Sequence, residues 1–130
     1  MKLLLDTHIF LWYITEDLKL PAVAADAIRD KKNEVLLSVV SVWEIVVKYQ
    51  LGKLSLPYAA DHYVRDRRVM HQIASLGLEE ASIGRLLTLP ALHRDPFDRL
   101  LICQAIQHDC VIITVDQAFA GYPVNLLPAL

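Results

Sequence analysis

Short apolar runs alternate along the chain with longer segments in which apolar residues recur every three or four positions. The runs cover residues 2–5, 35–38 and 111–114, with weaker runs at 73–76 and 124–126. Runs without polar alternation are typical of strands that are buried on both faces. The longer segments predict helices over 7–14, 21–30, 41–51, 58–71, 79–87 and 96–108, and a short helical turn ending at 120. This order predicts an α/β fold with a mostly parallel central sheet and helices on both faces.

The segment 93–101, His-Arg-Asp-Pro-Phe-Asp-Arg-Leu-Leu, places two carboxylates where an apolar helix is predicted to begin. Pro96 suits the first helical position, and Asp95 before it is predicted to cap the free amides of the first turn. Asp98 lies three positions after Asp95, on the same side of that turn. Taken singly, each acid is explained by the helix dipole alone. A functional interpretation therefore needs further carboxylates in the same place.

Other acids are predicted to lie close to this pair. Asp6 and Asp116 each follow a predicted strand, and ligands of parallel α/β sheets gather at the carboxyl ends of the strands. Ser41 and Glu44 have the spacing of a capping box at the start of the third helix, which Gly52 is predicted to end. The capping box and a functional role for Glu44 remain alternatives, as do capping and function for Asp116. One edge of the sheet is expected to collect all five acids.

Composition narrows the classes of protein that fit. A chain of 130 residues that is 55% hydrophobic predicts one folded domain over 1–130. The net charge of −2 means that contact with a nucleic acid requires a local basic patch. The two cysteines, Cys103 and Cys110, lack metal-ligand spacing, and we expect buried thiols in a reducing cytoplasm. Asp6 and His8 interrupt the apolar start of the chain, so neither a signal peptide nor a membrane span is predicted.

Three groups of residues together resemble the PIN-domain ribonucleases, and within them the VapC-type toxins of bacterial and archaeal toxin–antitoxin pairs. They are Leu-Leu-Leu-Asp-Thr-His at 3–8, Ser-Val-Trp-Glu-Ile at 41–45 with Lys48 and Leu-Gly-Lys-Leu at 51–54, and His-Arg-Asp-Pro-Phe-Asp-Arg-Leu-Leu-Ile at 93–102 followed by Thr-Val-Asp at 114–116. These groups span most of the chain, and as a set at these separations they are specific. The region around residue 73 matches the family poorly.

The resemblance implies a PIN-like fold and a metal-dependent endoribonuclease. The family's acidic quartet, catalytic and metal-binding, maps onto Asp6, Glu44, Asp98 and Asp116, with Asp95 as an accessory acid. Crowded carboxylates repel one another unless a cation intervenes, and oxygen ligands alone favour Mg²⁺ or Mn²⁺. The family also implies an RNA substrate, an inhibitory antitoxin that covers the acidic cleft or places a basic side chain in it, and a homodimer.

Basic residues near the acids in sequence are candidates for RNA contact. They are Arg94, Arg99, Lys48 and Lys53. His8 and His93 are compatible with contact to RNA or with proton transfer, but a polar residue at a helix start is the commoner use, and neither is placed in the catalytic set.

Two alternatives differ from a ribonuclease toxin. A catalytically inactive PIN module would bind RNA or protein without cutting, and its usual mark is a missing acid, whereas all four positions are filled here. A phosphoaspartyl hydrolase or receiver-like phosphoacceptor would also place an aspartate after the first strand. The hydrolase would need a second acid two residues after Asp6, where His8 stands, and no lysine follows the 111–114 strand closely.

Overall fold

The computed structural model describes residues 1–92 and 95–128. The strands are β1 (Lys2–Leu5), β2 (Glu34–Ser38), β3 (Ala74–Leu76), β4 (Val111–Ile113) and β5 (Asn125–Leu126). The helices are α1 (Thr7–Thr15), α2 (Ala22–Arg29), α3 (Val39–Gln50), α4 (Ala60–Met70), α5 (Glu80–Gly84) and α6 (Pro96–His108). Two 3-10 turns cover Arg85–Thr88 and Gln117–Gly121.

The five strands form one sheet in the order β3-β2-β1-β4-β5, and every recorded pairing is parallel. The predicted α/β fold with a parallel sheet is therefore confirmed. β1 lies at the centre, and its neighbours are β2, the next strand in sequence, and β4, which comes after four further helices. The carboxyl ends of β1 and β4 are thus adjacent although they are about a hundred residues apart in the chain.

The sheet has an apolar core on each face, which explains the uninterrupted apolar runs. Leu3 and Leu5 of β1 face a core that also contains buried side chains of α1, α2, α3 and α4. Leu4 points to the opposite face, where it joins a core formed with α6 and Phe119. The alternation of side chains along a strand sends consecutive leucines to the two cores.

The start of α3 corrects one sequence prediction. The helix begins at Val39 and is capped by Ser38, whose hydroxyl accepts a hydrogen bond from the Val40 amide at 2.9 Å. The predicted capping box of Ser41 and Glu44 is therefore wrong, because the serine at the end of β2 reaches the free amides first. Glu44 consequently lies in the second turn of α3 and faces the interior, with an exposed fraction of only 3%.

The other helix boundaries differ less from the predictions. α4 begins two residues later than predicted, and the predicted helix at 79–87 divides into α5 and the first 3-10 turn. α6 has the predicted bounds, and Gly52, with a φ of 72°, lies just after α3 as predicted. Within the described ranges, none of the helices combines the length and apolar character that a bilayer-spanning segment needs.

A buried amide ties two parts of the sheet to α6. Gln104 is completely buried, its side-chain oxygen accepts a hydrogen bond from the Ser38 hydroxyl, and its Nε2 donates to the Gly77 carbonyl at 3.0 Å. Ser38 also caps α3. One side chain therefore connects the end of β2, the loop after β3 and the helix that carries Asp98.

Replacing Gln104 with alanine is expected to lower the free energy of unfolding by about 1–3 kcal/mol, because the Ser38 hydroxyl and the Gly77 carbonyl lose their buried partner. Urea denaturation followed by circular dichroism measures the change. Gln50→Ala, at the exposed end of α3, is the matched control and should stay within about 0.5 kcal/mol of the wild type. Equal midpoints for the two variants would contradict a structural role for Gln104.

Candidate active site

Asp6 lies at the junction of the two central strands. It follows β1 directly, and its amide donates to the Ile113 carbonyl at the end of β4 at 3.0 Å. Its carboxylate accepts from the Thr7 amide on Oδ1 and from the Thr114 hydroxyl on Oδ2, both at 2.7 Å. Burial raises the pKa of Asp6 above its ordinary value, although these two hydrogen bonds act in the opposite direction. The carboxylate is therefore fixed in position and partly deprived of water.

Glu44 is held by groups from two helices. The Thr7 hydroxyl donates to Glu44 Oε1 at 2.8 Å, and the Lys48 ammonium lies 2.6 Å from Oε2. The Ser41 hydroxyl is 2.9 Å from the Thr7 hydroxyl. Since a hydroxyl group has one proton to donate, Ser41 donates to Thr7 while Thr7 donates to Glu44. Both oxygens of Glu44 are thus engaged.

Asp95 and Asp98 occupy the start of α6 as predicted. Asp95 Oδ1 accepts from the Phe97 amide at 2.9 Å and from the Asp98 amide at 3.3 Å, which confirms its capping role. Asp98 is 7% exposed.

Partial burial lowers the pKa of Lys48, but its bond to Glu44 and the charges of Asp95 and Asp98 raise it overall. The lysine is therefore electrostatically linked to three acids.

Asp116 completes the group at the exposed end of β4. Its Oδ1 accepts from the Ala118 amide at 2.9 Å and so caps the second 3-10 turn. Its own amide donates to the Thr114 hydroxyl at 3.0 Å. Because the same hydroxyl donates to Asp6, Thr114 connects the backbone of one acid to the side chain of another.

The five acids predicted to converge line one cleft of about 350 Å³ at the carboxyl edge of the sheet. The lining residues are Asp6, His8, Trp12, Glu44, Lys48, Asp95, Asp98, Val115 and Asp116. The acids come from the ends of β1 and β4, the interior of α3 and the start of α6, so the fold brings together residues that are far apart in the chain.

The donor set suits a hard divalent cation, since the cleft offers carboxylate oxygens and no thiolate. In residues 1–92 and 95–128, no three acidic, imidazole or thiol side chains already converge tightly enough to share one ion. Hydrogen bonds already engage four of the five acids: Asp95 and Asp116 form helix caps. Asp6 is bound by Thr7 and Thr114, and Glu44 by Thr7 and Lys48. A cation in this cleft would exchange part of that bonding for metal–oxygen bonds.

The predicted basic residues fall in different places. Lys48 lines the cleft, and Lys53 lies in an adjoining groove of about 550 Å³ that shares His8, Trp12 and Lys48 with it. Arg99 instead directs its guanidinium at backbone carbonyls, those of Leu86 at 3.4 Å and Pro90 at 3.5 Å. His93 and Arg94 lie outside the described residues.

Sequence reasoning undervalued the hydroxyl groups. Thr7 and Thr114 have no assigned role in the sequence analysis, and the structure gives each a hydrogen bond to an acid of the cleft. Ser41 was misassigned as a cap. Their positions in the sequence could have indicated this role, because Thr7 directly follows Asp6 and Thr114 lies two residues before Asp116, both at the end of a central strand.

The comparison with protein families decides the classification. The model of the PIN domain matches residues 3–125. The chain belongs to the PIN-domain family. The match extends from β1 to the start of β5 and includes all five acids, which confirms the resemblance drawn from the sequence motifs.

Two similar proteins from Mycobacterium tuberculosis carry the name ribonuclease VapC. This PIN domain is 44% identical to ribonuclease VapC16 over 54 residues, which are 36% of the chain and span only 38% of that relative. It is 23% identical to ribonuclease VapC22 over 120 residues, which cover 92% of the chain and 90% of the relative.

Solved structures agree with the fold. VapBC2 from Rickettsia felis, bound to a DNA fragment from its promoter, has a chain with a TM-score of 0.70 at 17% identity, covering 98% of this PIN domain and 97% of that chain. A toxin–antitoxin complex from Klebsiella pneumoniae has a chain with a TM-score of 0.64 at 18% identity, with 97% of each chain covered. At these identities the likeness establishes the fold alone.

Asp6→Asn is expected to remove part of the pH dependence of stability in metal-free buffer. Because the pKa of Asp6 is raised on folding, the folded state holds more protons than the unfolded state from about pH 3.8 up to the raised value. The contribution of Asp6 to stability is therefore complete below that window and lost as pH rises through it. Across this pH window the free energy of unfolding of Asp6→Asn should rise relative to that of the wild type, and the difference should persist at neutral pH.

Urea unfolding between pH 3 and pH 8 in the presence of EDTA measures this difference. Asp26→Asn, at an exposed position on α2, is the matched control and should follow the wild-type curve. If the free energies of unfolding of Asp6→Asn and the wild type depended on pH in the same way, ionisation of the buried Asp6 carboxylate would not destabilise the folded state.

Proposed function

We propose that this PIN domain is a metal-dependent endoribonuclease, the toxin of a type II toxin–antitoxin pair. The observation that carries the proposal is the convergence of Asp6, Glu44, Asp98 and Asp116 on one cleft at the carboxyl edge of a PIN fold. The names of the two VapC relatives support ribonuclease activity. All four acidic positions are filled, which favours an active enzyme over a binding module that has lost its chemistry.

The four acids would hold Mg²⁺ or Mn²⁺, which when bound would activate a water molecule for attack on the phosphodiester and offset the charge on its oxygens. The protein supplies the positions of the ligands. Thr7 and Thr114 fix the Asp6 carboxylate, and the Asp95 cap fixes the first turn of α6 and with it Asp98. Asp98 and Asp6 are buried, so the reacting phosphate would meet them in a site with little competing water.

The RNA strand would extend from the cleft into the adjoining groove. His8, Trp12 and Lys48 border both, and Lys53 lies further along the groove. Because the net charge of the protein is −2, local basic side chains must provide the attraction to phosphate. Lys53 is the better candidate for that contact, since the ammonium of Lys48 is already paired with Glu44.

We propose a cognate antitoxin and a homodimer as the natural assembly. The Klebsiella pneumoniae toxin–antitoxin complex with this fold supports the antitoxin. An antitoxin that covers the cleft or places a basic side chain among its acids would block both metal and RNA. A cytoplasmic location suits this assembly, and the two buried cysteines are free thiols, as expected in a reducing compartment.

Asp98→Asn is expected to abolish RNA cleavage while the protein stays folded. The residue lies in the first turn of α6, outside both apolar cores, so the change removes one carboxylate oxygen from the cleft and leaves the packing intact. Purified variants are incubated with total RNA and Mg²⁺, and new RNA ends are mapped. Circular dichroism reports folding.

Asp26→Asn, at a position that is exposed on α2 and does not line the cleft, is the matched control and should cut as the wild type does. Cleavage at the same sites by purified Asp98→Asn, prepared from cells without contaminating ribonuclease, would refute the assignment. An inactive wild-type protein with an intact fold would instead favour the RNA-binding or protein-binding PIN module.

Mg²⁺ should raise the melting temperature of the wild type, because a ligand that binds only the folded cleft stabilises the protein by mass action. At about ten times its dissociation constant, one ion adds roughly 1.4 kcal/mol. For a domain of this size the shift is about 3–8 °C. Thermal melts against metal concentration measure it: Asp98→Asn should lose most of the shift and Asp26→Asn should keep it. Equal shifts in all three proteins would indicate nonspecific screening.

A further inference from the structure

Lys48 is a basic residue that lines the acidic cleft, and the proposed metal-binding quartet gives it no role. It lies one helical turn after Glu44 on α3, and its ammonium is 2.6 Å from Glu44 Oε2. The other oxygen of Glu44 accepts from the Thr7 hydroxyl. The two helices α1 and α3 therefore supply a partner for each oxygen of a carboxylate that is almost fully buried.

This pairing has an electrostatic reason. A buried carboxylate without a partner is costly, and the lysine offsets part of that cost. The charges of Asp95 and Asp98 also act on Lys48, so the ammonium is a cation among at least three acids. The Lys48 side chain remains 39% exposed, whereas that of Glu44 is 5% exposed. The lysine can therefore leave toward solvent, while Glu44 cannot.

A divalent cation and the Lys48 ammonium would need the same oxygen. Glu44 Oε2 is the oxygen of that carboxylate on the lysine side, and Oε1 is held by Thr7. Two cations bound to one carboxylate oxygen repel each other at short range. Any cation that recruits Glu44 must therefore displace the lysine or accept its repulsion.

We propose that Lys48 is the resident counter-ion of Glu44 and that it sets the affinity of the cleft for divalent cations by competing with them. The inference rests on the proposed function, since it presupposes a metal site formed by these acids. Lys48 acts through Glu44, so it is a positioning residue. It holds the cleft together without metal and lowers the affinity for metal.

The test measures Mn²⁺ affinity by calorimetric titration of the wild type, Lys48→Met and Lys48→Arg. Removing the charge should tighten Mn²⁺ binding by about three- to tenfold, since the competing ion and its repulsion are both lost. Lys48→Arg keeps the charge and should bind Mn²⁺ within about twofold of the wild type. Lys53→Met, an exposed lysine of the adjoining groove, is the matched control and should leave the affinity unchanged.

Thermal melts in EDTA give a readout that a lysine serving only as an RNA contact would not move. Lys48→Met should melt below the wild type without metal, because Glu44 is left as an unpaired buried charge, and should gain more from Mn²⁺ than the wild type does. An unchanged Mn²⁺ dissociation constant for Lys48→Met would overturn the inference while the metal site stands. A wild type that binds no Mn²⁺ would overturn the proposed metal site itself.

A second measurement needs no variant and covers the case in which Lys48→Met does not fold. The wild-type protein is treated with an amine-acetylating reagent with and without saturating Mg²⁺, and modification of individual lysines is followed by mass spectrometry. Displacement from Glu44 should increase the rate of acetylation at Lys48 at least severalfold, with Lys53 as the internal control. Equal rates at Lys48 in both conditions would overturn competition for Glu44.

Discussion

The hydrogen bond from the Thr114 hydroxyl to the buried carboxylate of Asp6 is the contact on which the cleft depends. It exists because Leu5 pairs with Ile113 in the parallel ladder between β1 and β4, so that the residues following the two strands lie side by side. A shift of one residue in this register would turn one of the two side chains to the other face of the sheet. The two apolar cores, which fix the register through Leu3, Leu4 and Leu5, therefore also fix the geometry of the acids.

Short polar side chains and one lysine stabilise the negative charges that are buried in the cleft. Asp6, Glu44 and Asp98 are each less than a tenth exposed, in a protein that already has a net negative charge. The hydroxyls of Thr7 and Thr114 and the Thr7 amide donate hydrogen bonds to the carboxylates of Asp6 and Glu44, and a hydrogen bond to the charged form stabilises it. Small hydroxyl groups leave space in front of the carboxylates.

Much of this arrangement was predictable where the causes are local. Asp6 after an apolar strand and Asp95 before Pro96 follow from the properties of parallel sheets and helix starts, and both predictions are confirmed. The start of α3 was mispredicted because two serines compete for one role. Either serine is a residue type that can cap a helix. Because β2 ends at Ser38 and the chain enters α3 at the next residue, Ser38 is the cap.

The pairing of Glu44 with Lys48 had a visible signal that was not used, since a glutamate four residues before a lysine on a helix is a favourable pair. The lysine was instead assigned to RNA because it is basic and close to the acids in sequence. Arg99 had the same signal, yet its guanidinium contacts the carbonyls of Leu86 and Pro90. Closeness in sequence places a basic residue near the acids, but it does not say whether the side chain extends toward them. The direction of a long side chain depends on tertiary packing.

Capping and metal binding are compatible roles for the same acid in this cleft. A carboxylate has two oxygens and about four lone-pair positions, and the caps formed by Asp95 and Asp116 use Oδ1 in each case. The second oxygen takes no part in the cap. Asp6 and Glu44 differ, because hydrogen bonds occupy both of their oxygens. A cation entering the cleft would therefore have to compete for Asp6 and Glu44 with their partners Thr7, Thr114 and Lys48. At Asp95 and Asp116, by contrast, one carboxylate oxygen stays outside the cap.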